Sequence, residues 1–313
     1  MLAIVGTIPD EEFPLVTGEL RLEGDRVFIG SNKIDINRGT AALIASAIKV
    51  LEILNLPLPF GYLAGDIGLG KGSKGLYKYL AENLKNVNFK AIVFHYILPE
   101  VDGFNRVMFA IEDLPYSPIL LADAGGMYVA KMSGQAQRFD LFTPDAGEIA
   151  FLADEEAPHP FYTRGFILQE ENRVPDLIKR AYEYENASRY LIVKGNKDYI
   201  ADKNSIIAVI DYPMVEALEP IGGTGDTLTG IVSALIASGI SIDKAAIAAA
   251  KINRLAGYYA NPTPATQIFE IIEHIPHALN EVINSKKESD LISERNLNVS
   301  NIDIERPRDR TRS

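Results

Sequence analysis

Short apolar runs alternate with amphipathic stretches along most of this chain. The runs predict strands at Leu2–Gly6, Phe60–Ala64, Phe89–Tyr96, Ile119–Ala122, Leu141–Thr143, Tyr190–Val193 and Ser205–Ile210. Apolar positions recurring at three- and four-residue intervals predict helices at Gly39–Leu54, Gly75–Leu84, Asn105–Asp113, Val174–Glu185, Leu228–Ser238, Ile242–Tyr259 and Thr266–Ile283, with a shorter one through Phe151-Leu152. Thr17–Gly30 reads as a small β-excursion that turns at Gly24-Asp25. Strands and helices alternating at this spacing predict an α/β fold: a three-layer αβα sandwich with a mostly parallel central sheet. Ligands of such sheets sit at the carboxyl ends of the strands. Residues 1–283 read as one domain without internal repeats. From Asn284 to Ser313 the chain turns charged and poor in large apolar residues, which predicts a flexible tail; its four closing arginines read as solvated.

Composition narrows the class. A chain of 313 residues, 47% of them hydrophobic, can bury a sizeable core. Its formal net charge of -11 argues against nucleic acid and anionic membrane as partners. An anionic ligand must then be held by local groups, against the field of the whole. The absence of cysteine excludes disulfides, thiolate catalysis and cysteine zinc sites. No apolar run reaches the roughly 20 residues of a membrane span. Met1–Gly6 lacks a basic lead and reads as a strand, so a cytoplasmic protein is expected. The expected partner is a small-molecule substrate, with association into a homo-oligomer left open.

The strongest chemical signal is Gly222-Gly223-Thr224-Gly225-Asp226-Thr227-Leu228-Thr229-Gly230, which runs straight into an apolar helix. Small residues bring several N–H groups to one point, and the helix adds its positive end, so the turn suits a phosphate or a developing anion. Asp226 stands at its mouth. A carboxylate there suits a general base that takes a proton from a hydroxyl attacking phosphorus. The plainer alternative is an ordinary helix cap by Thr224 or Asp226. Two further segments bear on this. Thr143-Pro144-Asp145-Ala146-Gly147-Glu148 sets two carboxylates one helical turn apart, which suits Mg²⁺ held through water, although the spacing alone favours a dipole-friendly helix start. Tyr190–Val193 ends in Lys194-Gly195, delivering an ammonium and a flexible backbone to the sheet edge.

The order of these three segments resembles the ribokinase-like superfamily. Within it, Pro144, Gly147 and Leu228 are similar to the branch of ATP- or ADP-dependent NAD(P)H-hydrate dehydratases, as is the helix start Gly39-Thr40-Ala41-Ala42-Leu43-Ile44-Ala45. The resemblance covers roughly Asp140–Gly257. It implies ATP or ADP as phosphoryl donor and Mg²⁺ as cofactor. Asp226 would take the proton, Gly223 to Gly225 would hold the transferring charge, and Asp145 and Glu148 would organise Mg²⁺ and water. Gly222, Thr224, Lys194 and Gly195 would complete the nucleotide side. In a dehydratase the new phosphate leaves and restores the nicotinamide ring; in a kinase of sugars, nucleosides or vitamin alcohols it stays. Asp145 stands where that branch typically carries His, and the N-terminal 130 residues do not map onto the branch.

Other segments are open to two readings each. Gly65-Asp66-Ile67-Gly68-Leu69-Gly70-Lys71-Gly72-Ser73 follows a strand, and Gly70, Gly72 and Gly75 satisfy a dinucleotide fingerprint. It reads as a substrate loop with Asp66 on ligand hydroxyls, as a plain turn, or as the core of a dinucleotide oxidoreductase. Arg38-Gly39-Thr40 could hold an anionic group of the substrate, and Asp123 could hydrogen-bond it. His95, His159, His274 and His277 lack metal-ligand spacing, and His95 reads as structural. Pro158–Tyr162 reads as a stiff loop that could cover the site. A nucleotide sensor without catalysis would have no use for Asp226.

Overall fold

Strand alternates with helix as the apolar runs require. A computed structural model describes residues 1–163 and 173–284. The expected tail therefore lies, from residue 285 on, outside the described residues. The strands are β1 (Leu2–Ile8), β2 (Val16–Glu23), β3 (Arg26–Ile29), β4 (Asn32–Asp35), β5 (Phe60–Gly65), β6 (Ala91–Phe94), β7 (Ile119–Ala122), β8 (Leu141–Phe142), β9 (Tyr190–Val193), β10 (Asp198–Asp202) and β11 (Ile206–Ile210). They form one sheet in the order β11-β10-β9-β8-β7-β6-β1-β5-β2-β3-β4. The run from β9 to β5 is parallel, and antiparallel strands extend it at both ends.

Both faces of the parallel part are covered, which is why its strands read as unbroken apolar runs. Side chains alternate between two cores. Leu2 and Ile4 of β1 enter one, with helices α1 (Thr40–Ile53), α7 (Thr224–Ser238), α8 (Ile242–Tyr259) and α9 (Ile268–Ile272). Ala3 and Val5 enter the other, with α2 (Lys71–Asn83), α3 (Val101–Glu112), α4 (Gly125–Met132), α5 (Ala146–Ala153) and α6 (Val174–Glu183). This is the three-layer αβα sandwich expected. Among the described residues, no helix is long and apolar enough to cross a membrane.

Several boundaries differ from expectation for local reasons. Helix α7 begins at Thr224 rather than Leu228, because Gly223 takes the left-handed conformation (φ 103°) and turns the chain straight into the first helical turn. Asp226 therefore belongs to that first turn. Helix α3 starts early, at Val101, because the Glu100 carboxylate accepts from the N–H groups of Asp102 and Gly103. The long C-terminal helix breaks at Glu273-His274 into α9 and a second stretch over 275–284. Pro276 sits in the first turn of that stretch, where its missing N–H has no intrahelical partner to lose. Strands β4 and β10 were not expected, being rich in polar residues, and α4 starts on two glycines that hide it.

Helices α1 and α7 cross in close contact. A Cβ on Gly230 would stand 2.1 Å from Ser46 Oγ and 2.2 Å from the Leu43 carbonyl oxygen, the latter a backbone atom with little room to move. Gly230→Ala is thus expected to force the two helices apart and cost about 1–3 kcal/mol, measured by denaturant unfolding. Unchanged stability would mean that the crossing is loose. The crossing matters for function because it sets the N-terminus of α1 beside that of α7.

Candidate active site

The parallel register brings together the residues that follow each strand. Phe94 of β6 pairs with Ala122 of β7, Ala122 with Phe142 of β8, and Phe142 with Leu191 of β9. The next positions on β6 and β7 are His95 and Asp123; Thr143 follows β8 and Lys194 follows β9. Far apart in sequence, these four side chains emerge along one carboxyl edge. The N-termini of α1 and α7 close over that edge and add Gly39 and Asp226.

A cavity of about 890 Å³ opens there. Its floor carries Asp226, Asp123, Lys194 and Glu148, and one wall is the Gly223-Thr224-Gly225 turn. The 213–219 segment lines it as well, Pro213, Met214, Val215 and Leu218 alternating with Glu216 and Glu219. That size suits a nucleotide. The turn carries no side-chain cap, which leaves the first N–H groups of α7 without a capping side chain.

Asp226 is held by both oxygens. Oδ1 accepts from His95 Nε2 at 3.0 Å, and Oδ2 accepts from the Gly39 N–H at 2.6 Å. A carboxylate only accepts, so Nε2 carries the proton. His95 Nδ1 lies 3.1 Å from Thr40 Oγ1. Burial pushes the Asp226 carboxyl up, but the hydrogen bond and charge of His95, then Lys194, then the Gly39 N–H, outweigh it and hold the group below the ordinary carboxylate range. The side chain keeps an edge toward the cavity, with 11% of its surface exposed. The carboxylate is held ionised and in one orientation.

Beside it lies a second ion pair. Lys194 Nζ donates to both oxygens of Asp123, at 2.9 and 3.0 Å. Asp123 also accepts from Thr229 Oγ1 at 2.6 Å, whose oxygen sits 2.9 Å from that of Thr143. Since Thr229 donates to the carboxylate, Thr143 donates to Thr229. Burial opposes the charge of Lys194, yet Asp123 and Glu148 hold its pKa above the ordinary value. A Cβ on Gly225 would come 3.3 Å from Lys194 Nζ, so the ammonium lies directly against the glycine turn. His95, Asp123 and Asp226 bring ligand atoms within 4.8 Å of one another, but Lys194 already neutralises Asp123, so we read this cluster as a filled network.

Asp145 and Glu148 cap α5 reciprocally. Asp145 Oδ1 accepts from the Glu148 N–H, and Glu148 Oε2 accepts from the Asp145 N–H, both at 2.8 Å. Tyr128 donates its hydroxyl to Glu148 Oε1 at 3.0 Å. Burial pushes the Glu148 carboxyl up to about 8; Lys194 opposes this, and Asp123 and Asp145 add to it. Both carboxylates line the cavity.

The remaining sequence candidates fall outside the cavity floor. Gly39 and Thr40 were expected to contact substrate; instead the Gly39 N–H is spent on Asp226 and the Thr40 hydroxyl on His95. Arg38 is exposed and packs against the back of Gly222 and Gly223. The N–H of Gly195 donates to Asp198 and its carbonyl accepts from Arg254, so Gly195 serves as cavity wall. Asp66 is turned into its own loop, accepting from the N–H groups of Gly68, Gly70 and Ser73 and from Ser73 Oγ. That carboxylate fills the nest a pyrophosphate would need, which removes the physical basis of the dinucleotide-fingerprint reading.

Three contributors were not foreseen. His95 was read as structural, and it is fully buried, but its partner is Asp226. Asn253 braces the first turn of α7, donating to the Thr224 carbonyl and accepting from Thr227 Oγ1. Arg254 ties Asp198 to the carbonyls of Gly195 and Asn196. The available signal for His95 was its place at a strand end next to that of Asp123. Asn253 and Arg254 carry none, because only the docking of α8 against α7 brings them near.

This is a ribokinase-like three-layer sandwich with an uncapped, glycine-led helix start and a carboxylate in its first turn. The sequence model of the NAD(P)H-hydrate dehydratase family matches residues 83–277, and the chain belongs to that family. An uncharacterised protein of Methanocaldococcus jannaschii is 43% identical over 242 residues, which is 77% of this chain and 100% of that protein. A bifunctional NAD(P)H-hydrate repair enzyme of Hyperthermus butylicus is 36% identical over 110 residues, 34% of this chain and 20% of that enzyme. The ADP/ATP-dependent NAD(P)H-hydrate dehydratase of Bacillus subtilis, solved with ATP and Mg²⁺, shares the fold at a TM-score of 0.54 and 14% identity, covering 90% of this chain and 89% of that one.

Proposed function

We propose that this protein repairs hydrated NAD(P)H, using ATP or ADP to phosphorylate the hydrate's hydroxyl and then releasing phosphate. The observation that carries the reading is Asp226: ionised, oriented, and set beside an uncapped helix N-terminus in a cavity of nucleotide size. Family membership supports it.

The residues divide the work. The Gly223-Thr224-Gly225 turn binds the transferring phosphoryl group through backbone N–H groups and the helix dipole. Lys194 lies under that turn and offsets the charge that builds there. As the hydrate oxygen bonds to phosphorus, its proton passes to Asp226 and the bond to the departing nucleotide breaks. The carbon–oxygen bond of the new ester then breaks, phosphate leaves with the electron pair, and loss of a ring proton restores the dihydronicotinamide. Asp145 and Glu148, which line the cavity, would hold a hydrated Mg²⁺, since hard cations choose carboxylate and water oxygens, and the ion would neutralise phosphate charge.

The test follows the near-ultraviolet absorbance of dihydronicotinamide with hydrated NADH, Mg²⁺ and either ATP or ADP. A nucleotide-dependent rise establishes the dehydratase and names the donor. No rise, with a stable phosphorylated product from a sugar, nucleoside or vitamin alcohol instead, replaces it by a kinase.

A further inference from the structure

We infer that His95 is the positioning residue of this site: it holds Asp226 as an aimed carboxylate, so the base acts as a His–Asp pair. The inference rests on the reading above for what the base does, and on geometry alone for how the base is held.

The pair is built deliberately. His95 stands where β6 ends, and its N–H still donates to the Val5 carbonyl, so its backbone is fixed by the sheet. Its imidazole has no exposed surface. Thr40 Oγ1 meets Nδ1, and Nε2 thereby faces Asp226. Room for this hydroxyl is made at Gly6, where a Cβ would come 2.8 Å from Thr40 Oγ1 and Cγ2. Thus β1, α1, β6 and α7 each contribute one part of a single line: Gly6, Thr40, His95, Asp226.

The line resembles a hydroxyl–imidazole–carboxylate triad, but with its direction inverted. In a hydrolase triad the hydroxyl faces substrate and the carboxylate is buried behind the imidazole. Here the Thr40 hydroxyl is buried and Asp226 opens onto the cavity. A nucleophilic Thr40 is excluded by its burial, whereas the carboxylate end is where substrate arrives. The imidazole then does for Asp226 what the buried carboxylate does for a catalytic histidine: it fixes orientation and compensates charge.

A histidine placed only for packing needs no anionic partner. This one faces two. Nε2 lies 3.0 Å from Asp226 and 3.8 Å from Asp123. The groups that act on Asp226 are His95 after β6, Lys194 after β9 and the Gly39 N–H at the start of α1, while Asp123 and Glu148 share Lys194 with it. The Tyr96 phenol, raised to about 12 by burial and by Asp226 and Asp123, stays neutral throughout the working range. Lys194 is already committed to Asp123, so among side chains His95 is the donor that serves Asp226, beside the Gly39 backbone N–H.

The experiment uses the full chain and the variants His95→Leu, His95→Gln and Thr40→Val. Two readouts are taken: steady-state repair of hydrated NADH, and the carbon-13 titration of the Asp226 carboxyl, identified by its loss in Asp226→Asn. In His95→Leu, kcat is expected to fall by about 10–10²-fold, below the full contribution of a base, with KM nearly unchanged. The Asp226 titration moves up. Glutamine keeps a donor toward the carboxylate, so His95→Gln recovers part of kcat and part of the titration shift. Thr40→Val folds without touching the base and shifts the titration in the same direction, which keeps the inference testable should His95→Leu not fold. An Asp226 titration unmoved in these variants, with wild-type kcat, overturns the inference. Absence of repair by the wild-type protein, with the titration still moving, overturns the dehydratase reading and leaves the His–Asp pair standing.

Discussion

Asp226→Asn is expected to fold, to bind nucleotide, and to lose turnover by about 10²–10⁴-fold, the usual contribution of a positioned base. Asparagine matches the shape of the side chain. Its oxygen can still accept from the Gly39 N–H or from His95, so the turn keeps its frame. Nucleotide affinity is expected to hold or rise, since the carboxylate beside the turn repels phosphate. The pH profile of the wild-type enzyme carries the same argument. A base works ionised, and Asp226 is held below the ordinary carboxylate range, so activity is retained in mild acid and falls only as pH drops through that depressed value. Turnover and calorimetric nucleotide binding, measured side by side, decide the matter. Wild-type-like turnover in Asp226→Asn would remove the base from the mechanism.

The sandwich was legible because both faces of its sheet are buried. Apolar runs such as Tyr190–Val193 then have one interpretation in a chain that also carries amphipathic helices. Helix starts were less legible where a side chain or a glycine decided them. Glu100 begins α3 by accepting two N–H groups, and Gly125-Gly126 begin α4 on residues that read as a turn. The site divides in the same way. Asp226 and its turn announce themselves locally, since small residues before an apolar helix have few other uses. The roles of His95, Thr40 and Gly39 are set by pairing between β6, α1 and α7, at separations of 55 residues for Thr40–His95 and 131 for His95–Asp226. Local pattern carries no such information. Asp66 shows the converse: a carboxylate in a glycine loop resembles a ligand contact until the donors it accepts from are counted.

Lys194→Met tests how the site's charge is balanced, and its expected effect on stability is large. Asp123 is only 2% exposed and Lys194 13% exposed, and they share two hydrogen bonds. Breaking a buried pair from one side leaves the other charge without compensation, at a cost of about 3–5 kcal/mol. Thr229 and the Ala124 N–H still donate to Asp123, so the cost falls within that range rather than above it. Adding Asp123→Asn to Lys194→Met removes the orphaned charge directly and is expected to restore much of the stability while leaving the enzyme inactive, for the ammonium under the turn is gone. Denaturant unfolding of the wild type, the single variant and the double variant separates these contributions. A single-variant loss below about 1 kcal/mol, as for an exposed pair, would show that water reaches Asp123 and that Lys194 serves the phosphate rather than the fold.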